Sequence, residues 1–522
     1  MTFKKLLSPV ALACAAVMML ASCGKNSSVS DKVKEYLPDD CLMAMSGDIQ
    51  RVLTTMECKT NSDGQIELSD ELAAYVSQLY GHEQLEKFLE FKGVDWNNVV
   101  VGIRGKGEKV SALVVFSVTD KDTFAKSLQD AYEEADEDLD FEIEEEGDYT
   151  ILGEKYGAFA VKGNMGFLAI KDGRPVKRSK VVDTIDEWRE KAAEEPMAGW
   201  KADYLAKERI FNMLIDGKKL GNMMSDMYYG MSMPGMDFIT KGYMGVYFDV
   251  DGLTATFSGE FLDSEGNAKG MPEAGTFDSS LLSYASPKDF VAAGMGIGKT
   301  SGLAQNLASL PGMNQEILGQ MQAIYDMFDG ASIMGAAGPT AGALSFKMPS
   351  NDNWHYVVAA KFKNGNAAKA MEMLQSIVPA ANDSAAVTGD EMVLNIPVGY
   401  DYPESYYETD FYSEEYVEPT PVYAKLYVKR DGDVLVVSNA PIARQSNGFK
   451  PGDFSGKAFE LQFAMTKDDI KAASGLVMPF GFSFVMDAPK GGGTCSAVLA
   501  LTETKGSIYS NIVEFLGSNK KD

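Results

Sequence analysis

The sequence predicts an α+β protein made of two similar tandem halves, each a mainly antiparallel sheet with helices packed on one face. Three observations lead there: short runs of β-type residues closed by Gly, Asn and Asp turns, helical apolar spacing between some of them, and the return of that order at an offset of about 250 residues. With 522 residues, the chain exceeds what one hydrophobic core usually organises, so more than one domain is expected. Antiparallel hairpins interrupted by helices bury one sheet face and leave the other solvated.

The first element is not part of the fold. Lys4 and Lys5 precede an apolar run over residues 6–20 that is too short to span a bilayer, and Leu20-Ala21-Ser22-Cys23 closes it. A basic start, an apolar stretch and small residues before a cysteine mark a bacterial lipoprotein signal, with 1–22 removed and Cys23 acylated. Acyl chains bury dozens of methylenes at about 0.8 kcal/mol each, which holds a protein to a membrane without a transmembrane helix. Residues 23–34, opening Gly24-Lys25-Asn26-Ser27-Ser28, form a flexible polar tether. It carries no acidic cluster, which favours the periplasm-facing side of the outer membrane.

The first repeat spans 35–267 and the second 281–518, with 268–280 as linker after the Gly/Pro-rich passage that begins at Gly266. Pro38, Asp40, Cys41, Leu42 and Met43 correspond to Pro287, Asp289, Phe290, Val291 and Ala292, each set opening an apolar strand. The β-like run 111–116 has its counterpart in 354–359. Helical spacing follows in both, through Phe124, Leu128 and Tyr132 and through Ala367, Ala370, Met371 and Leu374. A hairpin comes next: 156–161 and 166–170 around Lys162-Gly163-Asn164, then 423–428 and 434–437 around Arg430-Asp431-Gly432-Asp433. Strand pairs 245–248 with 253–258, and 481–484 with 497–500, close the two halves.

A lipoprotein signal, a Leu37-Pro38-Asp39-Asp40 lead into a strand and two α+β halves together resemble the large envelope lipoproteins of Bacteroides-type bacteria that are grouped under a domain of unknown function. The resemblance covers the mature chain and rests on layout. It implies an exported, lipid-anchored, two-half protein and supplies no catalytic residues.

Loss of Lys4 and Lys5 with the signal takes the net charge from -27 to -29. Such a balance argues against nucleic acid, or anionic lipid, as a partner for the general surface. Of the cysteines beyond Cys23, Cys41 and Cys58 could close a short loop worth about 3 kcal/mol in an oxidising compartment, or Cys41 and Cys495 could be small strand residues.

No motif rises to a catalytic signature, and neither a cofactor nor a metal is expected. Gly294-Met295-Gly296-Ile297-Gly298-Lys299-Thr300 ends like a phosphate-binding loop, but Ala293 stands where the first glycine belongs. Asp136, Asp138 and Asp140 alternate like a calcium loop, but Phe141 takes the position that needs glycine. His82 and His355 have no local companions of nucleophile or ligand spacing.

Two clusters remain as candidates. Met223, Met224, Met227, Met231, Met233 and Met236 suit core packing, an adaptable apolar groove or Cu(I). Between 396 and 422 the second half carries Tyr400, Tyr402, Tyr406, Tyr407, Tyr412 and Tyr416 among acids, where the first half has only Gly153-Glu154-Lys155. Tyrosine offers large contact area at low entropic cost, so this loop suits a protein or glycan partner. The expectation is a lipid-anchored envelope protein of non-catalytic binding or structural role, acting through the cleft between its halves or through the tyrosine loop. Its alternatives are a carrier or chaperone for apolar ligands and, third, a carboxylate-dependent hydrolase.

Overall fold

The computed structural model describes residues 28–48, 51, 55, 59–60, 66–67, 92–106, 109–135, 141–227, 242–269, 275–298, 326–339, 354–381, 386–401, 420–445, 454, 456–474, 477–490 and 494–518. The chain divides into two compact units, Met1–Lys269 with Thr504–Asp522, and Gly270–Glu503.

In the first unit Ser28 caps α1 (Val29–Tyr36) by accepting the Asp31 N–H at 3.2 Å, and Val29, Val33 and Tyr36 enter the core. Strands β1 (Met43–Gly47), β4 (Val94–Lys106) and β5 (Lys109–Val118) form the centre of the sheet, while β2 (Lys59–Thr60) and β3 (Ile66–Glu67) pair only with each other among the described residues. After α2 (Lys121–Ala135) come β6 (Glu142–Glu146), β7 (Tyr149–Glu154), β8 (Gly157–Lys162), β9 (Met165–Lys171) and β10 (Arg174–Pro175). All of β6 is exposed and four of its five residues are glutamate. Helix α3 (Val181–Glu194) buries Val181, Val182, Ile185, Trp188 and Ala192 along one stripe and ends before Pro196, which disfavours helix in the residue before it. Then follow α4 (Gly199–Leu205), β11 (Phe211–Asp216), α5 (Gly217–Met227), β12 (Tyr243–Asp251) and β13 (Thr254–Leu262). The ladder runs β13-β12-β11-β1-β4-β5-β9-β8-β7-β6, antiparallel throughout.

Helices cover both faces of this sheet rather than one. The reason is legible in β4, where Val99-Val100-Val101-Gly102-Ile103 runs without alternation and so presents apolar groups on two sides. Ala44, Val100, Leu113, Val115 and Phe167 pack under α1, α3 and α4. Met45, Val101, Ile103, Val114 and Phe116 pack against Phe124 and Leu128 of α2.

The second unit begins with a 3-10 segment at Ser279–Tyr284, then β14 (Val291–Gly296), β15 (Ser332–Pro339), β16 (Trp354–Lys361) and α6 (Asn366–Ala381). It continues with β17 (Ala386–Thr388), β18 (Glu391–Asp401), β19 (Thr420–Asp431), β20 (Val434–Ser438), β21 (Lys457–Met465), α7 (Lys467–Ser474), β22 (Gly481–Pro489) and β23 (Thr494–Thr502). Its ladder runs β23-β22-β21-β14-β15-β16-β20-β19-β18-β17, again antiparallel. Ala292, Met334, Ala336, Val357, Ala359 and Val436 lie under Phe277, Leu281 and Tyr284. On the reverse face α6 sets Ala367 and Ala370 against Phe362, and Met371 against Met392, Leu394 and Val428. The last helix, α8 (Ile508–Ser518), groups with the first unit rather than with the second half, and its Ile508 N–H donates to the Gly252 carbonyl at 3.0 Å.

The fold is thus α+β and mainly antiparallel, with more strand than helix among the described residues. Gly294 and Gly296 lie in β14, where absence of a side chain admits the Phe277 ring at the first and the Gly275–Thr276 backbone at the second. A Cβ on Gly294 would stand 2.7 Å from the Phe277 ring.

Candidate functional site

Beside α3 and the start of α5, one end of the first unit's sheet holds a cleft of about 580 Å³, within the range of small-molecule sites. Its construction starts at Gly102. A Cβ there would come within 2.5 Å of Leu37 Cδ2 and 2.8 Å of the Trp188 ring, so only glycine lets α1 and α3 settle this closely on β4. Trp188 is buried against the strand. Two residues further along the same face, Arg104 places its guanidinium 5.3 Å from the centre of the indole ring. Its Nη2 donates to Asp40 Oδ2 at 2.9 Å and its Nε lies 2.8 Å from Asp40 Oδ1, one charge-assisted hydrogen bond with a close ion contact beside it that together hold the side chain.

The segment bearing Asp40 is itself anchored. Lys201 Nζ donates to Asp39 Oδ1 at 2.7 Å, the Ala198 N–H donates to the same oxygen at 3.0 Å, and the ammonium lies 4.3 Å from the centre of the Tyr243 ring. Burial alone would raise the Asp39 carboxyl, but these bonds outweigh it and hold the group below the usual carboxylate range. Burial, with the Asp40 charge adding to it, pushes the free Cys41 thiol up to about 12, so the thiol stays protonated and unreactive.

Strand register builds the rim. Arg104 stands opposite Ser111, Ser111 opposite Lys171, and Lys171 opposite Arg174, which puts four polar residues in one row on one face. Lys109 shares that face two residues before Ser111. Lys219 of α5 lies 3.2 Å from Asp216, and Asp172, next to Lys171 at the end of the row, accepts the Val110 N–H at 3.3 Å. The lining therefore offers cations, carboxylates and hydroxyls, and contains no histidine or cysteine. Such a set binds polar ligands by charge and hydrogen bonds.

The structure distributes the residues singled out from sequence. Met223 is buried on α5 and lines the cleft. Met224 and Met227 belong to the same helix, while Met231, Met233 and Met236 lie outside the described residues. Tyr400 sits in β18 opposite Pro421, whereas Tyr402, Tyr406, Tyr407, Tyr412 and Tyr416 lie outside the described residues, as do Cys23, Cys58, His82, Asp136, Asp138 and Asp140. His355 Nδ1 lies 3.3 Å from Asp289 Oδ1, and the other oxygen of that carboxylate accepts the Ser286 N–H at 2.7 Å, a local tie between a strand and a turn. Arg104, Lys109, Lys171 and Lys219 were not anticipated. Their one sequence signal is basic residues at the ends of strands and helices in an acidic chain.

Among the described residues no three His, Cys, Asp or Glu side chains form a metal-holding group, and no helix is long and apolar enough to cross a membrane. No family model and no curated protein matches the chain. A solved structure titled "Structure of crystal form I of TP0453" is similar over 45% of this chain and 80% of its own, at 8% identity and a TM-score of 0.23. A likeness that slight carries no argument.

Proposed function

We propose that this chain is a lipid-anchored protein of the bacterial cell envelope, tethered through Cys23 on the periplasm-facing side of the outer membrane, which works by binding a small ligand rather than by catalysis. The observation that carries the binding role is the first unit's cleft, in which Arg104 is held in one orientation by Asp40 and Trp188. A cation fixed before any ligand arrives loses little conformational freedom on binding. The tether rests on the Leu20-Ala21-Ser22-Cys23 signal.

The reading includes a tandem duplication of the body and membership of the Bacteroides-type lipoprotein family. Counting the sheet strands along each unit, and leaving out β2, β3 and β10, both ladders read 10-9-8-1-2-3-7-6-5-4. A helix follows the third strand and another the eighth in both units. Agreement over so long an order supports two copies of one design.

Native mass spectrometry of the mature chain, released from envelopes in mild detergent, tests the binding role. One small molecule should be retained by the wild type and lost by Ser111→Trp, which fills the cleft from the face that Arg104 and Lys171 share. A chain that holds nothing, or a variant that holds the same molecule, overturns the proposal. An alkyne-bearing palmitate should label the wild type and spare Cys23→Ser, and equal labelling removes the tether.

A further inference from the structure

We infer that the cleft of the first unit takes a small polyol bearing one oxyanion, a phosphate or a carboxylate; the inference rests on the binding role proposed above. Charge is the starting point. With 75 acidic and 48 basic residues, the chain as a whole repels anions. Yet this one cleft gathers Arg104, Lys109, Lys171 and Lys219.

Two of the four are already matched, Arg104 by Asp40 and Lys219 by Asp216. Lys109 and Lys171 make no ion pair with any described residue. Lys171 also stands directly opposite Arg174, another cation without an ion pair among the described residues. Like charges facing each other across a strand pair destabilise it, and an oxyanion lodged beside them removes that repulsion. Ser111 lies between Arg104 and Lys171 in the same row and adds a hydroxyl donor to the ammonium groups. Donors of these two kinds on one face suit the several oxygens of a phosphate or carboxylate.

The rest of the lining speaks to the rest of the ligand. Asp172 and Glu187 face the same space and, when ionised, can only accept hydrogen bonds. A ligand that satisfies them must donate, and hydroxyl groups do so without adding charge. A cavity of about 580 Å³ admits a molecule of one or two sugar rings. Oxyanion at the lysine row and hydroxyls toward the carboxylates together define an acidic or phosphorylated sugar.

Titration calorimetry on the full mature chain with glucose 6-phosphate, glucuronate and glucose tests this, and the first two probes separate a phosphate from a carboxylate source. At least one of the charged sugars should bind, glucose should not, and the affinity should fall as salt rises. Lys171→Gln and Lys109→Gln should each weaken binding at least about tenfold without lowering the thermal melt of the free chain, since both side chains are exposed. Failure of both charged sugars to bind at millimolar concentration, equal binding of glucose, or wild-type affinity in both glutamine variants overturns the inference. A neutral molecule retained in the cleft and lost in Ser111→Trp would overturn it too while leaving the binding role standing. Retention unaffected by Ser111→Trp would remove both.

Discussion

In the first unit β5 is buried from Ala112 to Val118 on both faces, whereas β16, third along its own unit and third likewise in the shared strand count, alternates: Val357 and Ala359 are buried and Val358 is 45% exposed. The cause lies in what reaches the second face. Phe124 of α2 meets Phe116 edge-on at 5.7 Å, and Phe159 closes the group at 6.3 and 6.0 Å. Helix α6 instead packs toward Phe362, Met392 and Leu394. Strand order follows from connection length and hairpin chemistry, while the depth of the core follows from side-chain size on the face that those connections leave open. One ladder can therefore support a two-sided core or a shallower one.

The largest test of that contrast pairs Phe116→Ala with Val358→Ala. Removal of the fully buried ring should cost about 3–5 kcal/mol, and removal of the half-exposed valine about 0.5 kcal/mol, in denaturant unfolding followed by hydrogen exchange resolved by unit. Comparable losses would break the distinction. Next come two glycines. Gly102→Ala should cost about 1–3 kcal/mol by overpacking against Leu37 and Trp188 and should weaken ligand retention, because the seat of Arg104 shifts. Gly335→Ala has nothing within 4 Å of the added Cβ and should leave stability unchanged or raise it by up to about 1 kcal/mol.

A third difference shows only in alkali. The Cys41 thiol is raised by burial to about 12, and the Tyr284 phenol is raised to about 12 by burial and by its hydrogen bond to Asp431. For an acid raised by folding, the stabilisation is complete below the unfolded pKa and is lost as pH climbs through the folded one. Amide exchange should therefore show both units weakening from about pH 9, the first more steeply because Cys495 of the second unit is raised by burial less than Cys41, and the second weakening further from about pH 10 through Tyr284, with Cys41→Ala flattening the first unit's slope and Tyr284→Phe the second unit's above about pH 10. Unchanged slopes would refute the assignment. The smallest effect is expected from replacing residues 402–419 with a short turn. The β18–β19 ladder already runs from Glu391↔Lys429 to Asp401↔Thr420, with a single register shift between Pro397 and Gly399, so the second unit should melt within about 1 kcal/mol of wild type.

Much of the ladder could be read from the chain because its signals are local. The runs at 111–116, 156–161, 166–170, 434–437 and 481–484 contain or border strands, and the turns at Gly163 and Gly432 carry the positive φ their chemistry suggests, 58° and 64°. Cover on both faces of β4 was not expected because antiparallel hairpins interrupted by helices pointed to a one-sided sheet. The cleft was missed for a different reason. Arg104 and Asp40 are 64 positions apart, and Lys171 joins them only through the register of β5 with β9. Contiguous clusters such as the methionines and tyrosines draw the eye, yet of these Met223 alone lines the cleft among the described residues.

The acidic strand β6 bears on how copies of the protein share a surface. Among the described residues it pairs with β7 alone; Arg178 reaches back to Glu142 and Glu144 on one face and Lys121 meets Glu145 on the other, and all four carboxylates of the strand stay exposed. Molecules confined to a leaflet collide far more often than the same number free in a volume, which is where an open sheet border would zip neighbours into fibres. A border lined with carboxylates repels its own copy, so the tethered form proposed above can be dense on the membrane and still stay dispersed.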